Sequence, residues 1–423
     1  QYGGGLYNNR WLIVDNCTFS NNCAGFGGGL CYWGSSGTTR EYCKILNSVF
    51  VANYACSYGG GIITLADGVI SNCTIINNRS KNIGGGLCQN GGTYMTLLAN
   101  CIIANNIASN SGGGIFVEGE AEIQSCSIYS NSAPAKGGGI CYSQYVLTSS
   151  LLNSLVYGNS STQGGGICIY WYSTPVIINT LIADNSANQY GGGIFTGQFS
   201  APSITNCILF GNNASQGTQI YNSGNTSGTL SISYSCIQNG VGGISNVNGG
   251  IIINDIGNIS VDPQFVNAAQ RDYHLTIMSP CIDAGTNLPS VTVDRDGIPR
   301  PLDGDNNGVV RWDMGAYEYV HPDADSDKDG MLDTKEIIAD TSPTDGGSLL
   351  RINSLLVDPA GLLINWQGGI DATQYLERCT DMSANPPTWT PIFTNCPPTP
   401  VATNIIDHDA TNDQRYYRLR VQR

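Results

Sequence analysis

Apolar and polar positions repeat along the first half of the chain at intervals of about 27 residues, a length typical of one supersecondary unit. A Gly-Gly-Gly triplet followed by Ile or Leu begins at positions 3, 27, 59, 84, 112, 137, 164 and 191. Between triplets comes an aliphatic residue, usually followed two residues later by Asn, then by a small residue, an apolar residue and a second Asn. This self-similarity predicts a repeat architecture.

The spacing within each copy predicts short strands joined by corners. The small and apolar columns are two residues apart, so they share one face of a strand. The aliphatic column lies three residues before the small column, so simple alternation fails and a corner must lie between them. Asn stands at that corner, and Asn tolerates the left-handed backbone that a tight corner needs. Stacked copies of this kind predict a parallel β-helix of about nine or ten coils.

The last part of the chain follows another pattern. Residues 349–423 contain no glycine triplet, and alternating runs separated by turn residues predict a small β-sandwich. This part resembles immunoglobulin-like and fibronectin type III modules of secreted bacterial proteins. The predicted fold class is all-β, a right-handed parallel β-helix (solenoid) followed by a small β-sandwich. We predict a β-helix with a C-terminal cap over 1–320, a calcium-binding linker over 321–346 and the sandwich over 347–423.

Two resemblances concern the β-helix. The repeated columns resemble the Gly-Gly-[Ile/Leu/Val] and Phe-x-x-Asn repeats of the chlamydial polymorphic outer-membrane proteins, which implies a β-helical passenger domain used for adhesion. Further on, the chain reads Asp262-Pro-Gln-Phe-Val266, Ser279-Pro-Cys-Ile-Asp-Ala-Gly285 and Asp313-Met-Gly-Ala-Tyr-Glu-Tyr319. This series resembles the choice-of-anchor Q family of secreted bacterial β-helix proteins. The resemblance implies a secreted, extracellular or cell-surface bacterial protein and no known reaction.

Composition narrows the classes of partner. The chain has 423 residues and 54 glycines, and its net charge is −14, with 32 acidic against 18 basic residues. A nucleic-acid partner is not expected, because phosphate binding needs a basic face. No apolar run reaches the roughly 18 residues of a membrane-spanning helix. The chain starts at Gln1 inside a repeat, so we expect either that a leader was removed or that the sequence is a fragment.

The clearest chemical motif is an acidic loop that begins at Asp325 and ends at Glu336. Oxygen donors at positions 1, 3, 5, 7, 9 and 12, with Gly330 at position 6, are the pattern of a calcium-binding loop. The loop resembles the calcium repeats of thrombospondin type 3 and dockerin modules; the alternative is an acidic linker. Calcium is thus the expected cofactor. The predicted ligands are Asp325, Asp327, Asp329, the Met331 carbonyl, Asp333 and Glu336.

A weaker version of this motif spans Asp303 to Gly308, but it has Met314 at position 12 and receives little weight. Two disulfides are suggested, one between Cys379 and Cys396 and one between Cys23 and Cys56. Most other cysteines are expected to be small buried residues. Seven Asn-x-Ser/Thr sequons occur, and five are candidates for glycosylation: Asn78, Asn159, Asn213, Asn225 and Asn258.

The acidic and aromatic residues leave two functions open. Glu118, Glu120 and Glu122 alternate and would share a strand face, as paired carboxylates of a glycosidase could, but a solubilising edge is the simpler interpretation. Aromatic residues gather after several triplets, where they could stack on sugars or pack on a neighbouring subunit. The acids and arginines between Asp283 and Glu318 are interpreted as a salt-bridged cap, and an acidic active site is the alternative.

The favoured function is an extracellular structural or adhesive protein without enzymatic activity. A first coil with only two residues before its triplet would present a bare strand edge, and bare edges recruit other strands. We therefore expect head-to-tail self-association into a surface fibre. The alternative is a polysaccharide-binding or polysaccharide-cleaving protein, with glycans or a host cell surface as partners.

Overall fold

The computed structural model describes residues 2–34, 43–91, 95–224, 228–254, 256–410 and 414–423. Its contacts divide the chain into two compact units. The first comprises Gln1–Gly297 and Trp312–Glu318, and the second comprises Ile298–Arg311 and Tyr319–Arg423.

The first unit is a parallel β-solenoid whose first sheet begins immediately after the glycine triplets. Within the described residues this sheet has ten strands, one from each coil. They are Leu6–Asn8, Leu30–Tyr32, Ile62–Thr64, Leu87–Gln89, Ile115–Val117, Ile140–Tyr142, Ile167–Ile169, Ile194–Thr196, Ile220–Asn222 and Ile244–Asn246.

The second sheet carries the aliphatic column and has ten parallel strands in the described part of the chain. They are Leu12–Asp15, Cys43–Leu46, Gly68–Ser71, Met95–Ala99, Glu120–Gln124, Ser150–Leu152, Val176–Ile178, Ser203–Thr205, Thr229–Ser233 and Ile251–Asn254. Its register pairs Val14 with Ile45, Ile45 with Ile70 and Ile70 with Leu98, so the predicted column is confirmed as a stack.

The third sheet carries the apolar column and has nine parallel strands, counted over the same described ranges. They are Thr18–Ser20, Val49–Val51, Thr74–Ile76, Ile102–Ala104, Ser127–Tyr129, Leu155–Tyr157, Leu181–Ala183, Ile208–Phe210 and Cys236–Ile237. Further strands close the coil before the next triplet, in two groups. They are Cys23–Phe26, Tyr54–Tyr58, Arg79–Ser80 and Ile107–Ala108, then Ser160–Gln163, Ser186–Tyr190 and Asn213–Gln216.

Left-handed residues form the corners, as the column spacing predicts. Asn47, Asn72 and Asn100 have φ of 49°, 54° and 55° at the corner between the second and third sheets. The first glycine of each triplet, such as Gly84 (φ 64°), forms another. The second glycine is required for a different reason: a Cβ on Gly85 would lie 2.3 Å from the carbonyl oxygen of Gly113 on the next coil. The triplets therefore stack backbone against backbone.

Two kinds of stack hold the coils together. Aliphatic and small residues from the three sheets fill the interior, where Leu30, Ile45 and Phe50 are fully buried. Beside them runs a ladder of asparagines, in which the backbone and side-chain N–H groups of Asn78 donate to Asn106 Oδ1 at 2.9 and 3.1 Å. The same bonds repeat from coil to coil. The ladder consists of Asn22, Asn53, Asn78, Asn106, Asn131, Asn159, Asn185 and Asn212.

A second apolar cluster lies on the outer side of the first sheet. The middle residue of each three-residue strand points away from the interior, and partly buried aromatic side chains such as Tyr170 and Tyr190 cover it. Its buried members are Cys31, Ile63, Cys88, Phe116, Cys141, Cys168, Phe195 and Tyr221. The first sheet is therefore apolar on both faces, which suits a parallel sheet covered on both sides.

After the last strand of the solenoid come short elements of the first unit. They are the 3₁₀ helices Gly240–Gly243 and Ala268–Gln270 and an antiparallel hairpin of Phe265–Asn267 and Asp272–Leu275. The Tyr273 hydroxyl donates to Asp184 Oδ2 at 2.9 Å and so ties the hairpin to the third sheet.

The second unit contains one α-helix, Asp333–Ala339, and two antiparallel three-stranded sheets within its described residues. The sheets are Arg351–Asp358, Gly361–Gln367 and Ala402–Asp407, and Thr390–Asn395, Thr373–Cys379 and Tyr416–Gln422. Trp366 of one sheet is buried and donates from Nε1 to Gln374 Oε1 of the other at 2.9 Å. The predicted small sandwich is confirmed by this pair of packed sheets.

Candidate functional site

The acidic loop of the second unit gathers carboxylates around one point. One carboxylate oxygen from each of Asp325, Asp327 and Asp329 lies within 4.8 Å of the others. The Asp325 carboxylate accepts hydrogen bonds from the N–H groups of Asp329 (3.2 Å) and Gly330 (2.9 Å). Gly330 has φ 96°, a conformation that a side chain would strain, so the glycine at position 6 makes the sharp turn.

Three carboxylate oxygens in this loop have no hydrogen-bond partner although they are buried. They are Asp327 Oδ2, Asp329 Oδ2 and Glu336 Oε2, and Glu336 is fully buried. Burial and, after it, the negative charges of Asp327 and Asp329 together raise the pKa of Glu336 to about 8. A buried anion without a partner is costly, so this arrangement fits a cation bound between the carboxylates.

The elements around the loop hold these groups in place. The helix starts at Asp333, so Glu336 projects from its first turn, and no α-helix precedes the loop within the described residues. Both oxygens of Asp333 accept from Ser326, at 2.8 Å from its N–H and 2.7 Å from its hydroxyl. The Met331 N–H donates to Asp329 Oδ1 at 2.8 Å, which fixes the backbone of the seventh position. These bonds fix the backbone of the loop, and calcium binding by the six predicted ligands stays a prediction.

The weaker motif adopts the same turn. Asp303 accepts from the N–H groups of Asn307 (2.9 Å) and Gly308 (2.7 Å), and Gly308 has φ 89°. Its fifth position is Asn307, and its twelfth is a methionine, whose side chain offers no oxygen ligand. Both motifs therefore share the turn. The buried carboxylate oxygens without a partner distinguish the loop from Asp325 to Glu336.

The central one of the three glutamates considered for catalysis is engaged in structural bonds. Glu120 accepts from the N–H groups of Leu147 (3.1 Å) and Thr148 (2.8 Å) on the next coil. Glu120, the central one of the three alternating glutamates, therefore holds a loop of the next coil in place.

In the C-terminal part of the first unit, carboxylates also accept hydrogen bonds from backbone N–H groups. Asp313 Oδ1 accepts from Asp283, Glu318 Oε2 accepts from Asp313, and Asp294 Oδ2 accepts from Glu318. The distances are 2.7, 3.1 and 2.8 Å. This chain of bonds favours the cap interpretation over an acidic active site.

The suggested disulfides are not formed, and the strand register explains why. All sixteen cysteines are free thiols. Cys23 pairs with Tyr54, two residues before Cys56, so the two thiols do not face each other. Cys379 ends its strand, whereas Cys396 follows the residue that pairs with Gln374. Cys396 therefore lies opposite Thr373, and six residues of extended strand separate it from Cys379 by about 20 Å, far beyond the reach of a disulfide.

Burial also corrects part of the glycosylation prediction. Asn78 and Asn159 belong to the asparagine ladder and are each 1% exposed, so their amides cannot carry a glycan in the folded chain. Asn213 is exposed and Asn258 is partly exposed. Asn225 lies outside the described residues. Only Asn213 and Asn258 therefore stay as predicted sites within the part that the structure describes.

A groove that the sequence pattern did not reveal lies on the outer side of the first sheet. We call it the aromatic groove, and its volume is about 390 Å³. Its polar residues come from four different coils, and no local motif marks them. It is lined by Lys136, Gln163, Tyr170, Trp171, Phe195, Gly197, Gln198 and Ser223.

Comparison with known families supports the solenoid. Residues 60–261 match a family model described as a right handed beta helix region. The chain is a β-helix repeat protein. The matched segment of the β-helix runs from the third triplet to the end of the ten-strand sheets and so defines the hand of the coils as right-handed. No curated protein matches the β-helix chain in sequence. Within the described residues, no helix has the length and hydropathy needed to cross a membrane.

Proposed function

We propose that this β-helix protein is an extracellular structural or adhesive protein of a bacterial surface that acts without enzymatic activity. Its second unit would bind one calcium ion in the loop from Asp325 to Glu336. The observation that carries the proposal is the buried, unpaired Oε2 of Glu336 among the carboxylates of Asp327 and Asp329. Oxygen ligands in this arrangement suit calcium.

An extracellular location would suit a calcium-binding loop of this kind. Calcium sites in extracellular modules have dissociation constants of about 10⁻⁴ to 10⁻³ M, so they fill only where calcium is abundant. Once filled, the site would neutralise the repulsion among its acids and fix the start of the helix. Calcium would then act as a structural brace for the unit that contains the sandwich.

The solenoid supports a structural role through its continuous ladders. Each coil is joined to the next by main-chain bonds in three sheets and by the asparagine ladder, which favours a stiff support for surface groups. We also propose head-to-tail self-association. Exposed apolar side chains such as Trp11 and Ile13, which are 68% and 61% exposed, offer a surface for such contacts. Static light scattering and electron microscopy of concentrated protein with calcium would test it, and a monomer under all conditions would contradict it.

Calcium binding can be tested by calorimetry on the full chain after treatment with a chelator. We expect CaCl₂ to bind at one site with a dissociation constant of about 10⁻⁴ to 10⁻³ M. Glu336→Gln should weaken binding at least tenfold, because the bidentate ligand is lost. Asp345→Asn, which changes an exposed acid of the same unit, is the matched control and should bind as the unchanged chain does. Absence of calcium binding, or equal binding by Glu336→Gln, would refute the site.

A second candidate function, polysaccharide binding or cleavage, is favoured by the aromatic groove. Exposed aromatic rings beside amide and hydroxyl groups are a surface on which sugars can stack and form hydrogen bonds. Binding on a glycan array and release of reducing sugar separate the two roles. Binding without release would support an adhesive protein, whereas release of sugar would show an enzyme.

A further inference from the structure

The aromatic groove is bordered by bulky residues in a backbone conformation that they rarely adopt. Trp171 has φ 31° and Tyr172 has φ 60°, while Tyr145 and Phe199 have φ 62° and 64°. Left-handed backbone at a bulky side chain is an outlier that costs of order 1–3 kcal/mol, and such outliers cluster at functional sites. Glycine would remove this strain, yet three successive coils place aromatic residues here.

These residues build a continuous aromatic surface along the solenoid. The Tyr145 and Tyr172 rings stack at 5.2 Å with an angle of 9°, and the Tyr172 and Phe199 rings stack at 4.5 Å with an angle of 1°. Trp171 lies beside this stack, 6.2 Å from Tyr172, and is 41% exposed at the groove. The ring of Trp171 is thus held by its neighbours while part of it stays accessible to a ligand.

The polar groups of the groove are available for binding. The side-chain amides of Gln163 and Gln198 form no hydrogen bond within the described residues, so each offers a donor and an acceptor. Lys136 is the one charged residue that lines the groove. Its ammonium lies 3.3 Å from the centre of the Tyr170 ring and forms no ion pair in the described part of the chain.

We propose that the aromatic groove binds an acidic sugar unit of an anionic polysaccharide. Trp171 contacts the face of the sugar ring, the amides of Gln163 and Gln198 bind its hydroxyl groups, and Lys136 pairs with its carboxylate or sulfate. A neutral sugar would use the first two contacts and leave the ammonium unpaired. The proposal rests on the adhesive role proposed above and gives that role a ligand class and a site.

The test measures binding of the full chain to immobilised polysaccharides by biolayer interferometry. Alginate and hyaluronan carry carboxylates, dextran sulfate carries sulfates and dextran is neutral. We expect at least one acidic polysaccharide to bind at least tenfold more tightly than dextran. Because the protein is itself strongly negative, such binding cannot come from overall charge and must reflect a local site. The acidic probe that binds identifies carboxylate or sulfate as the recognised group.

Two substitutions and their matched controls locate the site. Trp171→Gly should relieve the left-handed strain, so the fold should be at least as stable as before, while binding to every probe should fall at least tenfold. Lys136→Gln should reduce binding of the acidic probe to the level of dextran. The controls are Trp33→Gly, at a partly exposed aromatic residue on another coil, and Lys81→Gln, at an exposed lysine, and both should bind within twofold of the unchanged chain.

Three outcomes would overturn the proposal: no acidic polysaccharide binds better than dextran, Trp171→Gly binds normally, or Lys136→Gln keeps the preference for acidic probes. Binding to a protein partner with no binding to any polysaccharide would count against it too. Each measurement is made with CaCl₂ and with a chelator. The groove belongs to the first unit and the acidic loop to the second, so failure of calcium binding would leave the polysaccharide result interpretable.

Discussion

At the scale of single residues, asparagine has two separate roles in each coil. At one corner it adopts left-handed backbone, as Asn72 and Asn100 do. In the ladder it is buried and joins three coils: Asn106 accepts from Asn78 and donates from Nδ2 to Asn131 Oδ1 and to the Ile75 carbonyl. An amide is suited to this position because it has both donors and acceptors and carries no charge to be buried.

Replacing one rung of the ladder should be strongly destabilising. Asn106→Ala would leave the backbone N–H and one of the two side-chain N–H groups of Asn78 without an acceptor and would remove the bond to the Ile75 carbonyl, while Asn78 Nδ2 keeps its bond to the Phe50 carbonyl. Each unpaired buried group costs about 1–3 kcal/mol, so we expect the free energy of unfolding to fall by about 2–5 kcal/mol in chemical denaturation. Asn110→Ala, at an exposed position on the same coil, should change it by less than about 0.5 kcal/mol. Equal effects would show that the ladder adds little stability.

At the scale of elements, the sandwich is held together by a polar contact between its two sheets. Asp407 of the strand Ala402–Asp407 accepts from Arg378 Nη1 at 2.8 and 2.9 Å and from the Tyr417 hydroxyl at 2.8 Å. Arg378 and Tyr417 both belong to the opposite sheet. Burial acts to raise the pKa of Asp407, but the hydrogen bonds from Tyr417 and Arg378 outweigh it, and the pKa is lowered.

This contact predicts a loss of stability in acid. Because the folded pKa of Asp407 lies below its unfolded value of about 3.9, its contribution is complete above that value and is lost as pH falls through the folded pKa. Asp407→Asn should lower the free energy of unfolding at pH 7 by about 2–4 kcal/mol and flatten its decline between about pH 4 and 2.

The neighbouring residue provides the control for this prediction. Asp409 lies 3.6 Å from the same arginine but is 82% exposed, against 5% for Asp407. Asp409→Asn should therefore cost less than about 1 kcal/mol and leave the acid dependence unchanged. An unaltered acid dependence in Asp407→Asn would contradict the assignment.

At the scale of the whole molecule, stability comes from stacking and not from cross-links. Twelve of the sixteen free cysteines are buried, and the exposed ones are Cys17, Cys23, Cys56 and Cys396. Burial raises the pKa of Cys31 and Cys43 to about 12, so these thiols are neither accessible nor ionised at neutral pH.

A thiol count on the native and the unfolded chain tests this picture. A maleimide reagent should label about four cysteines rapidly in the native protein and all sixteen in guanidinium chloride, as read by intact-mass spectrometry. Reductant should leave the native count unchanged, because no thiol is held in a disulfide. A native count that rises after reduction would instead show that disulfides exist in the isolated protein.

The sequence alone determined the solenoid, its corners and the acidic loop. These depend on local spacing: each coil repeats the same positions, so a column of Asn47, Asn72 and Asn100 specifies a corner wherever it occurs. Loop ligands at fixed spacing, from Asp325 to Glu336, are equally local. The small sandwich could be predicted from alternation, because strand period is also a local property.

Only the tertiary structure decided which side chains meet across distant positions. It buried the sequons at Asn78 and Asn159, separated Cys379 from Cys396, and left Glu336 Oε2 without a partner. It also brought Lys136 of one coil beside Tyr170 of the next to form the groove. The spacing of residues along the sequence determines which strand face a side chain lies on and where a corner falls. Burial, free hydrogen-bonding groups and contacts between coils depend on all the residues that pack around a position.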